Sequence, residues 1–258
     1  MEHISVIIIT FNEERNIGAT LDAAWKVADE IIVADSGSTD HTQRICIEKG
    51  VRFINQPWLG YGEQRNSAVA KAAHNYILVL DADEVLDDTL IQSILQLKQH
   101  GFSEKVYALR RSNYYFGKFI QHGLEGLEIK PRLYERQSAK WNNKLVHEEL
   151  EFATDVKVIK LNGHLLHYTY RTMAEYMIKA DKYTTLSAEQ YYQQGKSSPG
   201  IIKLVVSPAF TFVNAFIIKA GFLDGWHGFI LAKLQAYYVL CKYAKLKMIY
   251  YKKRNEQQ

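Results

Sequence analysis

Residues Ile4–Thr10 read ISVIIIT, and this run most narrows what the chain can fold into. It has strand length and lacks the polar alternation of a strand with one wet face. Such a run suits a strand covered on both faces, as in a parallel sheet. Residues 16–28 carry Ile17, Leu21, Ala24, Trp25 and Ala28 at helical spacing. A second buried strand is predicted at 30–34 (EIIVA). Ser38, Thr39 and Asp40 offer N-caps for a helix that Gly50 can end. Residues 51–55 read as a short strand, 62–74 as a helix and 76–80 (YILVL) as a strand. Asp87 or Asp88 caps a further helix through Leu97. Strands alternating with helices predict an α/β fold with a mostly parallel sheet flanked by helices.

The texture changes from Lys105 to Tyr168. VYALRR, EIKPRLY, KVIKL and HLLHYTY read as strands without long helices between them, an α+β continuation of the same domain. Thr172-Met173-Ala174-Glu175 is a capping-box pattern that starts a long helix, and Gly195 can end it. KSSPG (196–200) reads as a hinge. Beyond it, 204–218 carries no charge and contains Pro208. At 15 residues it is short for a simple transmembrane helix, which needs about 20. Residues 226–251 form a second helical stretch rich in Tyr, Leu and Lys.

With 47% hydrophobic and 12% aromatic residues over 258, disorder is excluded as the main state. Cys46 and Cys241 lie far apart, so no disulfide framework or CxxC metal site is offered. The start MEHISVIII has no basic n-region, so no secretory signal is expected, and a reducing, cytosolic compartment is. The formal charge of +4 is split unevenly. Residues 201–258 hold nine basic side chains against Asp224 and Glu256, leaving the first 200 residues at −3. A basic, apolar tail on a slightly acidic body suits an anionic membrane surface. No nucleic-acid motif appears, and the basic residues lie among branched apolar ones, so nucleic acid is not expected as a partner.

Three acidic sites fall at or near strand ends: Thr10-Phe11-Asn12-Glu13-Glu14, Asp35-Ser36-Gly37-Ser38-Thr39-Asp40 and Asp81-Ala82-Asp83-Glu84. In α/β sheets such ends line the ligand crevice. Carboxylates there suit a nucleotide base and ribose, and a hard cation bridging phosphates. Each site alone also reads as helix capping. Neither GxGxxG nor GxxxxGK[ST] occurs, which weakens a dinucleotide oxidoreductase or a P-loop NTPase.

TFNEE, VADSGSTD, GYGEQRNSAV and YILVLDADE, in that order, resemble the family 2 glycosyltransferases of GT-A fold. The likeness spans residue 4 to about 100. VHEE, HYTYR and GFLDGWHGF resemble the lipopolysaccharide core β-1,4-glucosyltransferase subgroup within that family. The resemblance implies a GT-A catalytic domain at 1–198 and a membrane-associating helical extension at 199–258. It implies an inverting, metal-dependent transfer of a hexose, with UDP-glucose as favoured donor, to an inner-core heptose of a lipid A-core acceptor. The setting implied is peripheral, at the cytoplasmic face of the inner membrane. The alternatives left open are another donor or acceptor, an inactive nucleotide-sugar or lipid-binding assembly protein, and an integral helical hairpin at 201–251.

Residue roles follow from the same resemblance. Thr10, Asn12 and Glu13 match the loop around base and ribose, Asp35 the uracil contact, and Arg65 a basic residue of the nucleotide pocket. Asp81 and Asp83 match the DxD motif, Asp81 near the ribose and Asp83 on Mn²⁺ or Mg²⁺. His167 resembles the late metal-binding histidine, with His164 a second candidate. Glu148 is the expected base, with Glu149 the alternative; adjacent carboxylates raise one another's pKa, which suits a base. Arg110, Arg111, Arg132, Arg136 and Lys182 are further cations that could meet a diphosphate or an anionic acceptor.

Overall fold

The ISVIIIT run is strand β1 (Ile4–Thr10), buried at every position. Its side chains divide by parity. Ile4, Val6 and Ile8 join one core cluster with Leu21, Leu78 and Ile94, while Ile7 and Ile9 join another with Ala68, Ile77 and Trp141. A strand whose successive side chains enter two apolar cores is covered above and below, which explains the missing polar alternation.

In the computed structural model, residues 2–143 and 148–255 are described. They fall into two units, one made of Met1–Ser112 and Glu128–Tyr168, the other of Asn113–Leu127 and Thr169–Gln258. This division does not coincide with the expected boundary at 198/199. The long helix after Thr172 and residues 113–127 group with the C-terminal helices instead.

In the first unit β1 pairs in parallel with β2 (Glu30–Asp35) and β4 (Tyr76–Asp81), and β2 with β3 (Arg52–Asn55). The intervening helices are α1 (Ile17–Ala24), α2 (Thr42–Glu48) and α3 (Tyr61–Val69). Beyond β4 the pairing reverses. Strand β5 (Glu84–Leu86) and helix α4 (Asp88–His100) follow. Strand β6 (Val106–Tyr115) leads to the short β7 (Lys118–Ile120), which pairs with the end of β6 within the second unit. Strand β8 (Glu128–Glu135) is antiparallel to both β4 and β6, and β11 (Val158–Tyr170) to β5. Strands β9 (Ala139–Trp141) and β10 (Leu150–Phe152) form a separate ribbon.

The α/β class and the flanking helices match expectation. The mostly parallel sheet holds only for the first four strands, and the sheet as a whole is mixed. The physical reason is connection length. No crossover helix separates β6 from its antiparallel partners β7 and β8, and parallel neighbours need one. KVIKL and HLLHYTY, read as two strands, are one 13-residue strand. Asp87 is the N-cap of α4, its carboxylate accepting from the Leu90 N–H at 2.7 Å.

In the second unit the Thr172–Glu175 capping box is present and starts α5 (Met173–Gln193). Helix α6 (Ile201–Val213) runs through Pro208 into a π-helical turn (Asn214–Ile218), then a 3₁₀ turn (Gly221–Asp224), then α7 (Trp226–Asn255). Ile201–Ile218 is long and apolar enough to cross a membrane by length and composition. Gly228 lies so close to Gly221 that a Cβ there would stand 1.8 Å from the Gly221 carbonyl oxygen.

Candidate functional site

The carboxyl ends of β1 and β2 are stitched together. Asn12, at φ 54°, donates its N–H to Ser38 Oγ (2.8 Å) and accepts the Thr39 N–H on Oδ1 (2.8 Å). The Glu13 N–H donates to Thr42 Oγ1 (2.8 Å), the Glu14 N–H to Asp40 (3.1 Å), and the His41 N–H to Glu14 (2.9 Å). Asp35 is buried beneath this rim. Its carboxylate accepts from the N–H groups of Gly37 (2.8 Å) and Ser38 (2.7 Å) and from the Ser38 hydroxyl. The Thr10 side chain is buried beside it in register, its hydroxyl unpaired among the described residues. Three expected base-pocket positions thus share one rim with Asp35.

Strand β4 ends on Asp81. Because β8 lies antiparallel beside it, with Leu78 opposite Leu133, Arg132 arrives at the same end. Arg65 comes from α3. Gly62 lets that helix approach the strand end after Trp141, since a Cβ at Gly62 would lie 1.8 Å from the Asn142 carbonyl oxygen. Asn66 locks the approach, donating to the Trp141 carbonyl (2.9 Å) and accepting the Trp141 N–H (3.1 Å). The Trp141 ring then lies 4.6 Å from the Arg65 guanidinium carbon and 5.5 Å from that of Arg132. An aromatic face supports each cation where little water reaches.

The two arginines grip Asp81 from both sides. Arg65 Nη2 donates to Oδ1 (2.6 Å) and Arg132 Nη2 to Oδ2 (3.1 Å). Burial opposes ionisation of Asp81, but the charges of Arg65 and Arg132 outweigh it and hold the carboxyl far below the usual range. Arg65 Nη1 reaches Glu148 Oε1 at 2.7 Å. Arg132 Nη2 also donates to Glu84 (3.0 Å), and Arg111 lies 3.5 Å from the same oxygen and 3.0 Å from Glu128. Glu84 is fully buried, and its other oxygen accepts the Asp81 N–H at 2.9 Å. Three guanidiniums therefore interleave with Asp81, Glu84 and Glu148 in one network.

Asp83 sits in the turn between β4 and β5. Residue pairing of β5 with β11 puts His167 opposite Glu84, and His167 Nε2 comes within 3.4 Å of Asp83 Oδ2. Burial lowers the imidazole pKa, yet the hydrogen bond and charge of Asp83 reverse that and raise it. Among the described residues no group of three or more His, Cys, Asp or Glu forms a ready metal shell. The pair nevertheless fits a divalent cation. One carboxylate and one imidazole supply oxygen and nitrogen donors, and Mg²⁺ or Mn²⁺ sites at diphosphates take the rest from phosphate and water. His164 is elsewhere occupied, its Nδ1 being 2.6 Å from the Ser112 hydroxyl.

Glu148 and Glu149 part company. Glu148 meets Arg65, whereas the exposed Glu149 is tied through its backbone to Asn142. His147 of the VHEE segment lies outside the described residues. Glu84, Trp141 and the paired role of Arg132 were not assigned from sequence. The DADE segment contains Glu84, but only the register of β5 and β8 shows what it holds. Arg136 donates instead to the Ala72 carbonyl at 2.7 Å.

The model of the family described as glycosyl transferase family 2 matches residues 5–156. An uncharacterized glycosyltransferase of Rickettsia typhi is 30% identical over 264 residues, covering 99% of this chain and 90% of that protein. The lipopolysaccharide core biosynthesis glycosyltransferase LpsC of Rhizobium meliloti is 30% identical over 253 residues, covering 94% and 91%. Among solved structures, glucosyl-3-phosphoglycerate synthase from Mycobacterium tuberculosis with Mg²⁺ and UDP is 21% identical. That match covers 53% of this chain and 57% of that one at a TM-score of 0.38. The chain belongs to glycosyl transferase family 2 and is a glycosyltransferase.

Proposed function

We propose that this glycosyltransferase moves a hexose, with glucose from UDP-glucose the favoured donor, onto an inner-core heptose of a lipid A-core acceptor. The placement proposed is peripheral, at the anionic cytoplasmic face of the inner membrane. The likeness to LpsC over nearly the whole chain supports the acceptor class. One observation carries the chemistry: Asp81, Asp83, Arg65, Arg132, His167 and Glu148 gather at the end of β4, beside the rim formed by β1 and β2. Thr10, Asn12, Glu13 and Asp35 would receive base and ribose at that rim.

In this reading Asp83 and His167 would hold Mn²⁺ or Mg²⁺. The bound cation would offset charge on the departing diphosphate. Glu148 takes the proton from the acceptor hydroxyl as that oxygen bonds to the anomeric carbon. The bond from that carbon to the diphosphate breaks on the opposite face, and its electron pair leaves with UDP, so configuration inverts. Arg65 positions Glu148 and Asp81 with a single guanidinium. Glu149 remains the alternative base.

The experiment is a donor screen by UDP release with Mn²⁺ and a heptosylated lipid acceptor. Acceptor-dependent release from a UDP-hexose, lost in Asp83→Asn, is expected. Tight UDP-sugar binding with no release for any donor would instead favour the inactive assembly-protein reading.

A further inference from the structure

Helix α6 is amphipathic in the inverted sense. A surface helix of a water-soluble protein turns its branched apolar residues inward. Here the half-buried positions are Leu204, Ser207, Pro208, Thr211 and Phe212; Ile201 and Val205 are exposed, and so are Ile202, Val206, Phe210 and Val213. Phe210 is 61% exposed and Ile202 68%. The spacing of four, four and three residues keeps these side chains on one stripe, and Ile217 extends it through the π-helical turn. Behind the stripe the unit is stiffened by aromatic packing. Phe216 lies within 5.6 Å of both Phe212 and Phe229, ring centre to ring centre. Lys203 and Lys219 bracket the stretch, and Lys233 rests over the Phe212 ring at 4.7 Å.

Both ends of this stretch are tied to polar ground. Gly200 and the KSSPG segment lead into α6. At the other end the Gly123 N–H donates to the Lys219 carbonyl at 2.8 Å. Asp224 accepts the N–H groups of Gln121 (3.0 Å) and His122 (2.7 Å) and pairs with Lys118 (3.1 Å). Lys118 and His122 are both solvent-accessible. A helix crossing the bilayer would carry this charged junction into or through hydrocarbon, where it is costly. A helix lying along the surface keeps both ends in water.

We propose that the Ile201–Ile218 stretch lies in the plane of an anionic phospholipid leaflet, with the Ile202–Val206–Phe210–Val213–Ile217 stripe buried in it and Lys203, Lys219 and Lys233 at headgroup level. The inference rests on the membrane-surface reading above and adds which segment enters, and how. Charge selects the occupant. A second copy packed on the same stripe would bring its lysines against these, whereas anionic headgroups complement them.

Flotation of the full chain with phosphatidylcholine vesicles, with and without 30% phosphatidylglycerol as a ~30% anionic probe surface, tests the surface. Binding to the anionic vesicles is expected, falling at least about tenfold in Val206→Glu/Phe210→Glu. Both positions are exposed, so the variant should fold, and its UDP release with a detergent-dispersed acceptor should be kept. Unchanged flotation of the variant overturns the proposal. So does a dimer in solution that the same variant converts to monomer while flotation persists. For orientation, nitroxides are placed at Val206→Cys and Ile217→Cys in a Cys241→Ser background. Equal shallow depth is expected. A difference approaching the ~16 Å that separates the two along the axis would mean a spanning helix and overturn the in-plane placement. Flotation does not depend on catalysis, so loss of the transferase reading and loss of this one are separable.

Discussion

Replacing Glu84 by Gln tests whether the buried network is held as the geometry indicates. The substitution keeps shape and removes one charge. Glu84 is fully buried, accepts from Arg132 at 3.0 Å and from the Asp81 N–H at 2.9 Å, and lies 3.5 Å from Arg111. All of these partners are donors. A glutamine can turn its oxygen to only one side, so its amide must face another donor. One charge-assisted hydrogen bond is lost, about 1.5–3 kcal/mol, and a buried donor is left unpaired, about 1–3 kcal/mol. Arg132 keeps Asp81 and the Trp141 face, and Arg111 keeps Glu128, which limits the damage. The expected loss is about 3 kcal/mol, in line with breaking a buried pair from one side. With a urea slope of about 2 kcal/mol/M, the midpoint should fall by about 1.5 M. Arg132→Met should be similarly harmful, and the double variant less so than the sum, with a coupling of about 2 kcal/mol. A loss under about 1 kcal/mol for Glu84→Gln, or strict additivity with Arg132→Met, would refute the claim that Glu84 holds Arg132.

Glu148→Gln should lower kcat by about 10²–10⁴-fold while Glu149→Gln stays within a few-fold; steady-state kinetics showing the reverse order would reassign the base. Asp29 accepts from Lys98 (2.6 Å) and the Ile4 N–H (2.8 Å); burial opposes its ionisation, but these bonds outweigh it and bring its pKa down to about 2 from 3.8. A lowered carboxyl pKa contributes stability above about pH 4 that disappears as pH falls through 2, so Asp29→Asn should cost about 2 kcal/mol at pH 7 and progressively less in acid, read by urea titration across pH. Gly163 has φ +98°, and a Cβ there would lie 2.2 Å from the Leu90 nitrogen; Gly163→Ala should lower the unfolding temperature by several degrees or prevent folding, whereas an unchanged melting curve would deny the close approach of β11 to α4.

The core of the first unit was legible because its evidence is local. An unbroken apolar run, a cap three residues ahead of its bond, and a helix stop can each be read in a short window. The rim residues and the DxD carboxylates shared that advantage, since they follow directly on strand ends. The network around Asp81 did not. Arg132 reaches Asp81 across 51 residues and Arg65 reaches Glu148 across 83, each through strand register or helix approach that no short motif encodes. Nothing in the sequence around Trp141 marks it, and only the approach fixed by Gly62 and Asn66 brings its ring against two guanidiniums. The different surroundings of Glu148 and Glu149 were likewise invisible, because adjacent residues acquire separate neighbours only once the chain's path is known. In the tail, the uncharged stretch was plain, but which side of the helix faces outward depends on the partner helix.

The stitched rim has a consequence for how a nucleotide would be selected. Asn12, Glu13 and Glu14 are bound to Ser38, Thr39, Asp40, His41 and Thr42 by hydrogen bonds from main-chain N–H groups to side-chain oxygens, so the first two loops behave as a single knot. A guest entering there would find its seat already shaped and would forfeit little freedom in the host on arrival. The same knot makes the two loops interdependent in length. A residue inserted in either one would slip every tie to the other, and exchanging Asn12, Glu14, Ser38, Asp40 or Thr42 would remove an acceptor, so discrimination between nucleobases would be altered at side chains outside these five and not by resizing one loop alone.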